Sequence, residues 1–208
     1  MDGLTGQLLE QLAAMPSTEI VAVFFAVAYL LLAIRQNIWC WFCAGISTAI
    51  FVQVYATANL YMESVLNVFY FAMAIYGWIS WRAGSSGEVG LAISVWSRRV
   101  HLVAVVAILM MSAMSGYLLA TYTSAAFPYV DSATTFAAIW ATFLVARKVL
   151  ENWWYWLVID VISVFIYWSR GLELTAVLFV VYVVLIPAGL LSWTRNYRKQ
   201  AAEDALAV

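Results

Sequence analysis

Seven stretches of this 208-residue chain run almost free of acidic and basic side chains. Six contain no Asp, Glu, Lys or Arg at all: Ile20–Ile34, Gln36–Met62, Ser64–Trp81, Val100–Val130, Ser132–Ala146 and Leu174–Thr194. The seventh, Asn152–Ser169, is broken only by Asp160. A bilayer enforces such spacing, because an ionised side chain at its centre costs about 2.5–3.5 kcal/mol on insertion scales. Charges therefore collect where spans end. Two of the runs hold only 15 residues, short for the roughly 20 that cross about 30 Å of hydrocarbon. Snorkelling of Arg35 and Arg147 is expected to lengthen them. Composition closes off the soluble alternative: 66% of residues are AVILMFWYC and 10% are charged, where a soluble domain carries about 25% charge. The expected fold is an all-α membrane protein of seven transmembrane helices.

Loop charges set the orientation. With seven spans, Arg35, Arg82, Arg98, Arg99, Arg147, Lys148, Arg195, Arg198 and Lys199 share one side, and only Arg170 lies opposite. By the positive-inside bias that side is cytoplasmic. The N-terminus is then external and the C-terminus cytoplasmic. Ahead of the first span, Leu4, Leu8, Leu9 and Leu12 give residues 3–15 an amphipathic pattern suited to the membrane interface. Asp2 and Glu10 replace the basic leader of a signal peptide.

The spans also repeat. Gly77-x-x-Ser80-Trp81 closes the third, and Gly189-x-x-Ser192-Trp193 closes the seventh, 112 positions later. Leu66 matches Leu178 and Tyr70 matches Tyr182 at the same offset. Asn37-x-Trp39-x-Trp41 opens the second span and Asn152-x-Trp154-x-Trp156 the sixth, at an offset of 115. Spans one to three thus correspond to five to seven, with an odd helix between them. That is a 3+1+3 plan of parallel repeats. The resulting units are an amphipathic segment over 1–17, a first triplet over 18–82, a linker and fourth helix over 83–133, a second triplet over 134–195 and a cytoplasmic tail over 196–208.

Asp160 is the one ionisable group well inside a span, and intramembrane acids face bundle interiors and mark pathways. Trp153, Trp156 and Asp160 follow i, i+3, i+7 and share a helical face. Indole faces attract cations by about 0.5–2 kcal/mol, and the carboxylate adds counter-charge. The face suits a flat, cationic heterocycle. Asn67 and Tyr70 in the third span and Gln53 in the second offer further polar groups, each also able to serve as an interhelical hydrogen bond. Pro187 and Gly189 form a candidate hinge in the last span.

Other chemistry is excluded or unsupported. Cys40-x-x-Cys43 lacks further metal ligands and reads as packing, and His101, beside Arg98 and Arg99, reads as a boundary residue. No Walker motif couples ATP, no paired acid and base suggests an enzyme, and no basic tract suggests nucleic acid. No cofactor or metal is expected. A seven-helix ligand sensor is the rival class, although the 13 residues after Arg195 offer little output surface.

Two segments resemble the Pnu vitamin transporters of the PnuC type. Ala146-Arg147-Lys148-Val149-Leu150-Glu151-Asn152-Trp153-Trp154-Tyr155-Trp156-Leu157-Val158-Ile159-Asp160 is similar to their W-x-x-W-x-x-x-[N/D] signature, and Tyr76-Gly77-Trp78-Ile79-Ser80-Trp81 to their Y-G-W-x-x-W. The resemblance implies facilitated diffusion of nicotinamide riboside, or of the sister cargoes thiamine and riboflavin, across a bacterial inner membrane, with cytosolic phosphorylation trapping the product. It implies binding positions at Trp153, Trp156 and Asp160, with Asn67 and Tyr70 beside them, and a homo-oligomer, a trimer in prospect. Nicotinamide riboside carriers often have Asn where this chain has Asp160, and amides where it has Ala72, Met73 and Ala74. Thiamine, another fixed cation, is the alternative cargo.

Overall fold

The computed structural model describes residue 6 and residues 11–57, 61–83, 90–123 and 126–206, apart from the side chains of 61–63. The leucine pattern at Leu4, Leu8 and Leu9 lies outside the described residues. Seven long helices follow one another among them: α1 Ser17–Ile34, α2 Trp39–Thr57, α3 Tyr61–Ala83, α4 Arg98–Tyr122, α5 Pro128–Ala146, α6 Asn152–Ser169 and α7 Glu173–Leu206. Six are long and apolar enough to cross a membrane. The exception is α6, whose 18 residues include Asn152, Asp160 and a cluster of aromatic side chains that lower its hydropathy.

The two short charge-free runs lengthen at their acidic ends. α1 takes Glu19 and α5 takes Asp131 into the first turn, while Arg35 and Arg147 sit just past the last turn as C-caps. A helix N-terminus favours acids through its dipole, and Pro128 fits the first turn of α5 because its missing N–H has no helical partner there. α5 therefore starts inside the stretch 83–133 that charge spacing assigns to the linker and fourth helix.

α1, α2 and α3 pack in sequence, as do α5, α6 and α7, and α3 against α5 and α1 against α7 join these two groups. Among the described residues the backbone of α4 comes close to α5 alone, while its His101 side chain reaches α6. The two helices α4 and α5 come close at Gly116, where a Cβ would lie 2.5 Å from the Tyr129 ring and 2.9 Å from its Cα. A backbone atom that near cannot swing aside. Gly116→Ala is expected to cost about 1–3 kcal/mol by overpacking and to lower the thermal midpoint in detergent by several degrees. An unchanged midpoint would mean that this seam is loose.

The turns before α2 and α6 match each other bond for bond. Gln36 and Lys148, 112 positions apart, both adopt left-handed backbone, with φ of 55° and 49°. Gln36 N–H donates to Ala33 O and Lys148 N–H to Val145 O, both at 2.9 Å. Asn37 N–H donates to Leu32 O and Val149 N–H to Leu144 O, again both at 2.9 Å. Residues 90–97 cross this basic end of the bundle: Ser94 N–H donates to Lys148 O at 3.0 Å and Leu150 N–H to Ser94 O at 2.9 Å. At the opposite end the Gln11 side chain donates to the Glu173 carboxylate and accepts from Leu174 N–H at 3.1 Å.

The core centres on Trp41, Trp81, Trp153 and Trp193, each nearly inaccessible. A second, smaller cluster of Ala138, Ala141 and Ile159 lies beside it, with Tyr70 and Trp156 packed against it.

Candidate functional site

α6 starts directly after the left-handed Lys148 turn. Asn152, fully buried, fixes that start by donating its side-chain N–H to Val149 O at 2.6 Å. From there the helical period carries Trp153, Trp156 and Asp160 along one face.

These three residues meet different surroundings. Trp153 is 3% exposed and belongs to the core, edge-on to Trp193 with ring centroids 5.6 Å apart. Its ring lies against Gly189, where an added Cβ would come within 2.2 Å of it. Trp156, one turn further, is half-buried and touches both the tryptophan core and the second cluster. Asp160 is 4% exposed. Among the described residues no hydrogen bond or ion pair reaches its carboxylate, yet Tyr182 of α7 interacts with it electrostatically. Tyr182 and Tyr70 in turn interact with Tyr29 of α1. Tyr182 alone of these three phenols is thus tied to the Asp160 carboxyl, and it leads on to Tyr29 and, through Tyr29, to Tyr70.

Tyr70 and Trp156 converge on the same cluster, and half-buried Asn67 lies one turn before Tyr70 on α3. Gln53 is exposed near the end of α2. Tyr29 and Tyr182 were not singled out as candidates from sequence. Tyr182 carried a signal, its match to Tyr70 in the repeat, whereas nothing distinguished Tyr29 from the other aromatics of its helix.

The positions 112 residues before this site lack its chemistry. Trp156 corresponds to Ala44 and Asp160 to Thr48. The Thr48 hydroxyl is already committed, donating to Ala44 O at 2.8 Å. The first-half counterpart of this face therefore presents neither an acid nor an indole at these two positions.

Two polar residues take unforeseen places. His101 is more than a boundary residue: its Nδ1 lies 3.1 Å from the Tyr155 hydroxyl and its Nε2 3.9 Å from Glu151, tying α4 to α6. Lys148 turns inward, buried, with its Nζ 4.6 Å from the Trp81 ring centroid. Burial lowers its pKa below the ordinary lysine value. The left-handed turn directs it there.

A groove of about 640 Å³ between α3, α4 and α5 is lined by apolar side chains such as Met73, Val103 and Ile108, with Arg99 at its edge. It holds none of the six candidates. Among the described residues no group of His, Cys, Asp and Glu is placed to bind a metal, and both cysteines are free and buried. What the face around Asp160 offers is recognition: a desolvated carboxylate for positive charge, an indole for stacking and phenols for hydrogen bonds.

The chain is similar to known vitamin transporters. The family model described as nicotinamide mononucleotide transporter matches residues 17–195. The nicotinamide riboside transporter PnuC of Escherichia coli (strain K12) is 28% identical over 196 residues, covering 82% of each chain. The riboflavin/roseoflavin transporter RibM of Streptomyces davaonensis is 23% identical over 192 residues, covering 88% of this chain and 87% of its own. The crystal structure of the vitamin B3 transporter PnuC superposes with a TM-score of 0.70 at 21% identity, covering 94% of this chain and 88% of that one.

Proposed function

Because the chain belongs to the nicotinamide mononucleotide transporter family, we propose that it carries nicotinamide riboside, or a related cationic vitamin such as thiamine, by facilitated diffusion. It is a multi-pass inner-membrane transporter and not an enzyme. Cytosolic phosphorylation would trap the cargo and keep the gradient inward.

The observation that carries this reading is Asp160, a buried carboxylate with no partner of its own among the described residues, one turn from the half-buried ring of Trp156. A bound cation supplies the missing charge. The site then comprises Asp160 and Trp156, with Tyr70 and Asn67 hydrogen-bonding polar groups of the cargo, Trp153 beneath them, and Gln53 toward the external entrance. Nicotinamide riboside and thiamine both join a flat cationic ring to polar substituents. Riboflavin, the printed cargo of one relative, is larger and uncharged, and an aspartate suits it less.

The scaffold is read as 3+1+3: α1–α3 and α5–α7 are parallel units about an axis along the membrane normal, and α4 reverses direction between them. The matched turns at Gln36 and Lys148 support that arrangement. The basic ends, at Arg35, Arg82, Arg147 and Arg195, face the cytoplasm, with the N-terminus outside. Chains assemble as homo-oligomers, each with its own path.

Titrating the purified protein with nicotinamide riboside, thiamine and riboflavin, followed by tryptophan fluorescence, tests the reading. Saturable responses to the two cations and a flat response to riboflavin are expected. Tightest binding of riboflavin would overturn the cation assignment. Trp156→Ala should weaken cation binding about 3- to 30-fold, the range of an indole–cation contact, measured by calorimetry on the same preparation.

A further inference from the structure

Four indoles form a chain across the basic end of the bundle. Trp41 meets Trp81 with ring centroids 5.5 Å apart, Trp81 meets Trp193 at 6.1 Å, and Trp193 meets Trp153 at 5.6 Å. The order is palindromic. Trp41 and Trp153 are 112 positions apart, as are Trp81 and Trp193, and both outer pairs stand at 87°. Trp41 lies against Gly77 as Trp153 lies against Gly189, with Cβ approaches of 2.3 and 2.2 Å.

The two inner indoles do something the outer ones do not. Trp81 of α3 donates its Nε1–H to Val145 O of α5 at 3.1 Å, and Trp193 of α7 donates to Ala33 O of α1 at 2.9 Å. The acceptors are again 112 positions apart. By contrast, the indole N–H groups of Trp41 and Trp153 have no acceptor among the described residues. The bonds run along the same helix pairs, α3 with α5 and α1 with α7, that join the first three helices to the last three. Ser192 Oγ adds a third tie, donating to Ile34 O at 2.9 Å.

This chain of rings is also the floor of the proposed site. Trp153 is one turn from Trp156 and two from Asp160 on the same helical face. Cargo held at Asp160 therefore faces the basic end across the indoles. We propose that Trp81 and Trp193 are positioning residues of the transport cycle: their N–H···O=C bonds clasp the two triplets together beneath the cargo, and both bonds break when it leaves toward the basic end. The proposal rests on the carrier reading above. It adds residues that do not touch cargo and act through Trp153.

Phenylalanine keeps an aromatic ring at these positions and removes only the donor. Each bond is expected to hold the closed state by about 2- to 12-fold, so Trp81→Phe/Trp193→Phe should raise the open population about tenfold or more. Cys40, fully buried within the same core, reports it. In a Cys43→Ala background in proteoliposomes, labelling of Cys40 by an impermeant thiol reagent added at the basic face should accelerate about tenfold in the double variant. The dissociation constant for nicotinamide riboside, by calorimetry, should stay within twofold. Unchanged labelling would overturn the clasp. A loss of affinity as large as the gain in labelling would also overturn it, by making the indoles part of the ligand site or of the fold. If the double variant does not fold, each single Phe variant should show a smaller acceleration of the same sign. Failure of the parent protein to bind either nicotinamide riboside or thiamine would refute the carrier reading, and the labelling comparison made without ligand would still decide whether the clasp exists.

Discussion

Asp160→Ala abolishes saturable uptake of nicotinamide riboside while the protein still inserts and folds: that is the largest effect expected of any single substitution here. A hydrogen-bonded charge pair is worth about 1.5–3 kcal/mol net, or about 10- to 150-fold in affinity, and the dry surroundings of Asp160 favour the upper end. The folded protein should not suffer. The carboxylate lies buried without a hydrogen bond or ion pair among the described residues, so its removal relieves a desolvation penalty. The variant is therefore expected to match or exceed the parent in thermal midpoint while losing transport, the pattern of a site held at some cost to stability. Uptake in proteoliposomes and melting in detergent measure the two halves. Retained uptake would refute the site; lost uptake with lost stability would recast Asp160 as a structural residue. Asp160→Asn separates charge from hydrogen bonding, since an amide keeps the shape and the acceptor while removing the counter-charge.

The second large effect concerns glycine. Gly189→Ala would put a Cβ 2.2–2.5 Å from three atoms of the Trp153 ring, and Gly77→Ala would do the same to Trp41 at 2.3–2.5 Å. These rings cannot move easily, because each is nearly inaccessible and pinned edge-on by another indole. Each substitution should cost about 1–3 kcal/mol, and Gly→Val considerably more. Coupling tests the cause. If the ring is the obstacle, Gly189→Ala combined with Trp153→Leu should be less destabilised than the sum of the single variants by about 1 kcal/mol or more. Strict additivity in thermal or denaturant unfolding would show that the glycine is needed for another reason.

Much of this architecture was readable because bilayers penalise charge. Helix ends fell near Arg35, Arg82, Arg147 and Arg170, since a guanidinium must reach water and its position in sequence records that need. The acidic ends were read less well. Glu19 and Asp131 lie inside their helices, where the N-terminal dipole tolerates them, so taking every charge as a boundary shortened α1 and α5.

The repeat shows a subtler limit. Gly77 and Gly189 disclosed the offset of 112 because only glycine leaves room for an indole. The match of Asn37 with Asn152 suggested 115 and was misleading. Each asparagine does secure a helix start, Asn37 by accepting from Trp39 N–H at 3.0 Å and Asn152 by donating to Val149 O. They do so three residues out of step. Register is set instead by the left-handed turns at Gln36 and Lys148, which no shared residue type marks. Of the six candidate site residues, Asp160 was legible from its isolation and Trp156 from its spacing to it. Burial separated Trp153 from Trp156, and only packing between distant segments could reveal that.

The unequal chemistry of the two halves has a consequence for counting. Two copies of a binding face on one chain would allow two cargo molecules or a shared one on the axis. Ala44 and Thr48 stand where the second indole and the second acid would be, so saturation should reach one equivalent per polypeptide, off-axis. A stoichiometry of two by calorimetry would show that the first half also binds cargo.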